Sequence, residues 1–489
     1  MKKLLFALSF VLIFNVSVLF AAETDYATIW DKNDYSSDDK FPQNKENFFE
    51  QEKHKYSDKE IEKLLNVKLV PVSLEDCIKT AVENNYNIRA KKSLVKETVW
   101  NKRNAYTQFL PDVEYDFSIQ KLSGTYLIGG IVPADIDEIP IQSIFTIGWD
   151  VFDKGKSFFN LSEKRKLYKA SVLQQNFTRD EVILNTAISY YELLKNKAEI
   201  DIYAVNVIDR QAQYDMTKAR YEAGVGTKFD IYRAEAELAK AKQQYITSFN
   251  TIRINQARLA NYTGIDVSVP LYPKEIEITE RKLSEIDIET LIKYAKSSRK
   301  DVLAERKRID AMKTVRNSQY TDFIPDVRID YLNAHNGTAR AGLFPSNSFT
   351  LTVSIPLAKK LGLDTVTRAQ AQTAAIKAAQ LSLEQKIRDI ELSVISSKQN
   401  SASAFERIAA SRKEVFAAEK SLENAIVLMN VGLATFIDVI QAQGLKVNAQ
   451  VGLAENITDY NIAQVQILFD AGMISVDNVL NGLQQNFTP

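Results

Sequence analysis

Very few side chains in this sequence are equipped for covalent or metal chemistry. The 489 residues include two histidines, His54 and His335, and one cysteine, Cys77. A tetrahedral metal site needs three or four ligands, and a thiolate nucleophile needs a base beside it. His54 falls in a charged N-terminal stretch and His335 in what reads as a hairpin loop, so both read as solvated surface groups. Cys77 sits in an amphipathic pattern and reads as buried packing, with no second cysteine for a disulfide. The run Asp153-Lys154-Gly155-Lys156-Ser157 resembles the end of a phosphate-binding loop. Asp150 occupies the required earlier glycine position, however, and Val151 and Phe152 crowd the turn. No catalytic, cofactor or metal site is expected, and the chain does not read as an enzyme.

Two acids recur in one setting. Gly224, Thr227, Asp230 and Ala234 reappear as Gly432, Thr435, Asp438 and Ala442, 208 positions on, and Gly264 reappears as Gly472. An earlier block, Ser73 to Phe117, aligns without a gap on Asp287 to Tyr331, 214 positions on. Within it, Tyr106-Thr107-Gln108-Phe109-Leu110-Pro111-Asp112-Val113 becomes Tyr320-Thr321-Asp322-Phe323-Ile324-Pro325-Asp326-Val327. Ordered blocks at fixed spacing mean that one unit occurs twice. The change of shift puts a net deletion of six residues in or beside the second copy's hairpin.

The elements that position these acids are long helices. No Gly or Pro interrupts the stretches between Gly155 and Gly224 or between Gly362 and Gly432, which are rich in good helix formers. A helix of about 67 residues would run about 100 Å and needs coiled-coil or bundle packing. A second helix follows each, giving helical hairpins over 156–263 and 362–471. Four strands alternate apolar with polar residues, at about 112–120, 143–152, 326–333 and 347–356. Pro111 and Pro325 stop the helices that feed them.

Lys2, Lys3 and the apolar run Leu4 to Phe20, closed by Ala21 and Ala22, read as a cleaved signal over 1–22, with a retained membrane anchor as the alternative. Residues 23–70 read as a charged, largely irregular extension with a short helix near Asp58 to Leu65. The repeats then occupy 71–270 and 287–482, joined by a connection over 271–286 and followed by a tail over 483–489. The 62 basic and 62 acidic side chains cancel, so nothing draws the chain to nucleic acid. No later stretch reaches the roughly 20 apolar residues of a spanning helix, so any membrane crossing must use strands. Four strands cannot enclose an open lumen, and edges left bare in lipid are costly. Copies must therefore share one barrel: two give eight strands with a filled interior, and three give about twelve with room for water. A soluble sheet beside a coiled coil, serving as an exported scaffold or adhesin without a pore, is the competing reading.

Ser73-Leu74-Glu75-Asp76 through Ala81-Val82-Glu83-Asn84-Asn85 resembles the opening helix signature of the TolC-type outer-membrane efflux protein family, with Tyr86 where that family commonly has Pro. Phe109-Leu110-Pro111-Asp112 resembles its helix-to-strand junction. Its helical-hairpin turns are matched by Tyr221-Glu222-Ala223-Gly224 with Asp230-Ile231, and by Gly432 with Asp438-Val439. The resemblance covers about Ser73 to Asn481. It implies a mostly α fold with membrane β-strands, in which three copies of the duplicated unit build a twelve-stranded barrel continued by a long α-helical barrel. It implies a passive exit duct for drugs, toxins or secreted polypeptides, set in the outer membrane of a Gram-negative bacterium and extending into the periplasm. The implied partners are two further copies, a periplasmic adaptor, an inner-membrane transporter of RND or ABC type and outer-membrane lipid. It also implies a pore constriction at Asp438, with Gln441 at the family's second acidic position and Asp230 in the first turn. The family's closing Tyr and Arg fall on Met429 and Ala434. Gly224, Gly226, Thr227, Gly432 and Thr435 would form the turns that dock the adaptor. For Asp230 and Asp438, the alternative is stabilisation of a helix N-terminus.

Overall fold

The computed structural model describes residues 69–128, 132–274, 287–355 and 363–481. The signal-like run, His54, the helix expected near Asp58, most of the connection over 271–286 and the C-terminal tail lie outside the described residues. Each repeat opens with two helices separated by one extended residue. In the first, α1 (Leu74–Asn84) and α2 (Tyr86–Thr107) break at Asn85. In the second, α5 (Ile288–Ser298) and α6 (Lys300–Gln319) break at Arg299. The long hairpins are α3 (Lys156–Glu222) with α4 (Lys228–Thr263), and α7 (Leu363–Asn430) with α8 (Phe436–Asp470). A short α9 (Val476–Asn481) follows.

The hairpins are heptad coiled coils. Helix α7 buries Ile390, Val394, Ser397, Ser401, Ala404, Ile408 and Ser411, alternating steps of four and three residues. Helix α8 answers with Val447, Ala454, Ile457, Asn461, Gln464 and Leu468 in the same register. That period of 3.5 keeps the seam on one face when the helices supercoil left-handedly. In the first hairpin, Asn196 on α3 accepts a hydrogen bond from Asn255 on α4 at buried seam positions. A buried Asn pair fixes register, because any slip leaves both amides unpaired. Helix α7 also carries a second, exposed apolar stripe, Phe405, Phe416 and Val427, spaced by 11 residues.

The main sheet runs β2 (Asp112–Ile119), β5 (Pro140–Asp153), β7 (Asp326–Thr338) and β8 (Gly342–Ser354), antiparallel throughout. Directly paired residues share a face. Val113, Ile147, Tyr331 and Phe349 form one apolar row across all four strands. The adjacent row, on the opposite face, is Asp112, Gly148, Asp330 and Thr350. The apolar face is bare: Val113 is 63% and Phe349 71% exposed.

Several expectations need correction. Strands β5, β7 and β8 are 14, 13 and 13 residues long, and three of the four strands reach past the spans where alternation is visible. His335 lies inside β7, half-buried and paired with Ser143 and Pro345, not in a loop. The polar run Asn333 to Gly337 obscures this, because the ladder continues after the apolar alternation ends. A further ribbon, β3 (Leu122–Ile128) with β4 (Val132–Glu138), extends the first hairpin. Its Gly and Pro content conceals it. Finally, β1 (Val70–Val72) pairs in parallel with β6 (Leu271–Pro273), joining the end of the expected irregular extension to the start of the connection. Two three-residue strands some 200 positions apart leave no local signature.

Candidate functional site

Both turns are built alike. Helix α3 ends in a Schellman motif, in which Gly224 N–H donates to the Tyr221 carbonyl and Val225 N–H to that of Arg220. Helix α7 ends the same way, Gly432 donating to Met429 and Leu433 to Leu428. These bonds require a left-handed residue, and Gly224 and Gly432 supply it at φ of 75° and 79°. Three residues after each glycine, the next helix begins with a capping box. Thr227 N–H and Oγ1 both donate to Asp230 Oδ2, at 3.2 and 2.6 Å, and Asp230 N–H returns a bond to Thr227 Oγ1. Thr435 and Asp438 repeat this, at 2.8 and 2.7 Å.

The helix-end role is thus realised for both acids. It leaves Asp438 exposed and ionised, since the Thr435 hydroxyl and amide hold its carboxyl below the ordinary aspartate value. Gln441, one turn on, is exposed as well. Met429 and Ala434 behave differently. Met429 is buried with Leu422, Val439 and Ala442, and Met216, Ala434 and Phe436 pack against that cluster. Around the turns, Val225, Phe229, Val431 and Leu433 stand exposed, Leu433 at 78%. Of the expected docking residues, Gly224, Thr227, Gly432 and Thr435 are exposed and Gly226 half-buried.

One group at this end was not anticipated. Arg210 of α3 is buried and donates through Nη2 to the Ile440 carbonyl of α8 at 3.2 Å, with Glu237 of α4 3.8 Å away. Beside it, Gln443 Nε2 donates to Asp209 Oδ2 at 2.8 Å. Burial lowers the Arg210 pKa, while Glu237 and Asp209 oppose that shift. These bonds brace one coiled coil against the other near the turns. The signal lay in the heptad: Arg210 falls on the same seam as Asn196, where an apolar residue is the default.

Strand hairpins with one bare apolar face, feeding two braced coiled coils and repeated within one chain, define a channel protomer of the outer membrane. The chain belongs to the outer membrane efflux protein family, which it matches over residues 77–265 and 291–472. It is 22% identical over 330 residues to the outer membrane protein TolC of Vibrio cholerae, covering 66% of this chain and 75% of that one. To TolC of Escherichia coli it is 24% identical over 352 residues, covering 66% and 69%. Its fold superposes on the outer-membrane channel OprN with a TM-score of 0.72 at 17% identity, covering 82% of this chain and 89% of that one. This is a TolC-like efflux channel protein of a Gram-negative outer membrane, and its relatives are channels, not enzymes.

Proposed function

We propose that three copies close one twelve-stranded barrel in the outer membrane, continued by a helical barrel through the periplasm, and that the assembly is a passive exit duct. The sheet carries this reading. It has four strands, one bare apolar face, one polar face and two unpaired edges at β2 and β8. In lipid such edges must be paired, and further copies of the same sheet are the partners that close the circle. The exposed stripe through Phe405, Phe416 and Val427 supports contact between copies along the helices as well.

A passive duct needs its energy from elsewhere, so an inner-membrane transporter of RND or ABC type, joined through a periplasmic adaptor, loads it with drugs, toxins or secreted polypeptides. The exposed turns around Gly224, Gly226, Thr227, Gly432 and Thr435 are the docking surface for that adaptor. Asp438 lines the periplasmic constriction with Gln441 beside it, and Asp230 contributes from the first turn. Purified chain should run as a heat-resistant trimer in detergent and conduct ions in planar bilayers. A water-soluble monomer that leaves bilayers silent would overturn the proposal.

A further inference from the structure

Arg328 is the only lysine or arginine in the four strands of the main sheet, and the sheet is notched to receive it. It projects from β7 on the polar face, opposite Asp150 of β5 and Thr352 of β8. Its Nη1 donates to Asp150 Oδ1 at 3.1 Å and its Nε to Asp330 Oδ1 at 2.9 Å. To reach both, the guanidinium lies across Gly148, and a Cβ there would overlap Nη2. Any other residue at 148 would therefore push the guanidinium off the sheet. The same face carries Asp112, Glu114 and Asp116 on β2 and Asp326 on β7, so acids outnumber this one cation along the strands.

We infer that Arg328 is a charge-selectivity residue of the barrel lumen, seated flat over Gly148 so that it neutralises Asp150 and Asp330 without narrowing the bore. The inference rests on the channel reading, which turns the polar face inward. It concerns the barrel wall, not the periplasmic constriction. A charged wall biases permeating ions by its net charge, and removing the one cation should deepen the preference for cations.

The test uses full-length trimers in planar bilayers under a KCl gradient. Arg328→Gln should raise the potassium-to-chloride permeability ratio about threefold at low salt and leave single-channel conductance near wild type. The difference should fade near 1 M salt, where the screening length falls to about 3 Å. Arg328→Lys should retain the wild-type ratio. A ratio for Arg328→Gln equal to wild type at low salt would overturn the inference. Should that variant fail to assemble, the double substitution Glu114→Gln with Asp116→Asn takes its place. It should lower the ratio, and an unchanged ratio again overturns the inference. Silent wild-type protein would defeat the channel reading itself.

Discussion

Arg299 donates from Nη1 to the backbone carbonyl of Asp470 at 3.3 Å, two residues before Gly472. In the first repeat, Asn85 Nδ2 donates to the Tyr262 carbonyl at 2.8 Å, two residues before Gly264. Each donor sits at the break between the repeat's two opening helices, and each acceptor closes the last turn of its hairpin. The duplication has kept the bond and changed its chemistry. Asn85 and Asn87 in one copy correspond to Arg299 and Asp301 in the other. The charged version pairs Arg299 with Asp301 through two 3.1 Å bonds, and the guanidinium also packs against Phe177 and Phe469.

That comparison predicts an epistatic pair. Arg299→Asn keeps a donor for Asp470 but strips Asp301 of its principal counter-ion, which should destabilise the fold by about 3 kcal/mol. Adding Asp301→Asn removes the carboxylate left without Arg299 and should recover about 1–2 kcal/mol, the remaining cost falling on the buried Asp470 carboxylate, which lies 3.6 Å from Arg299 Nη1. Denaturant midpoints of the two single variants and the double variant measure this. Strict additivity would mean that Arg299 and Asp301 do not act as a pair.

The same junction fixes the direction of a pH dependence. Burial pushes the Asp301 carboxyl up, but the hydrogen bonds and charge of Arg299, with Lys386, hold it below the ordinary value. A folded pKa below the unfolded one contributes stability that is complete above the unfolded pKa, about 4, and is lost as pH falls through the folded pKa. Asp180 is opposite in sign. Burial raises it despite its bond to Lys300, so its ionisation weakens the fold and acidification relieves that strain. Urea midpoints followed into acid should therefore fall less for Asp301→Asn than for wild type. Asp180→Asn should be the more stable protein at neutral pH.

Arg210 should act on the spacing of the two coiled coils. Its loss leaves the Ile440 carbonyl without its donor and Glu237 without its cation, and removes a brace between the hairpins. Arg210→Ala should destabilise the fold by about 2–4 kcal/mol, since a buried charged donor is deleted. Backbone amides of α8 near Ile440 should exchange faster, while those of the sheet stay at wild-type rates. Uniform acceleration throughout would mean that Arg210 supports the fold globally instead of bracing the hairpins.

The long helices, both turns and the duplication were legible because each is written locally. Glycine-free runs, heptad steps and a Gly-x-x-Thr-x-x-Asp turn all fall within one or two helical turns of sequence. Asp230 and Asp438 belong to that local motif, and the role the turn shows for both is capping of a helix N-terminus. The brace was not legible, because Arg210 and Ile440 are 230 positions apart and Arg210 presents itself only as a polar residue in an apolar register. The ribbon β3–β4 is concealed by the glycine and proline within it, and the upper half of β7 by another cause: alternation marks only strand segments with an apolar side, and backbone pairing continues without one.

Asp438 should make the duct sensitive to multivalent cations. In the single chain, Thr435 stabilises its ionised form, and in a ring of three copies mutual repulsion would raise the pKa again. Asp438→Asn should weaken block by multivalent cations about tenfold or more while leaving trimers intact. Block that is unchanged in this variant would assign Asp438 to capping α8 alone.

The two faces of the sheet make the sharpest structural prediction. Phe349 and Thr350 are neighbours on β8, both exposed in the single chain, and they point to opposite sides. If lipid covers the Phe349 side, Phe349→Arg places a charge in hydrocarbon and should cost about 2–4 kcal/mol near the bilayer midplane. Thr350→Arg faces the lumen, where water solvates the guanidinium, and should be close to neutral. Heat-resistance of the detergent trimer reads the difference: Phe349→Arg should dissociate at a lower temperature and Thr350→Arg near wild type. Equal loss in both would mean that the sheet does not separate lipid from water, and the inward-facing lumen argued for Arg328 would fall with it.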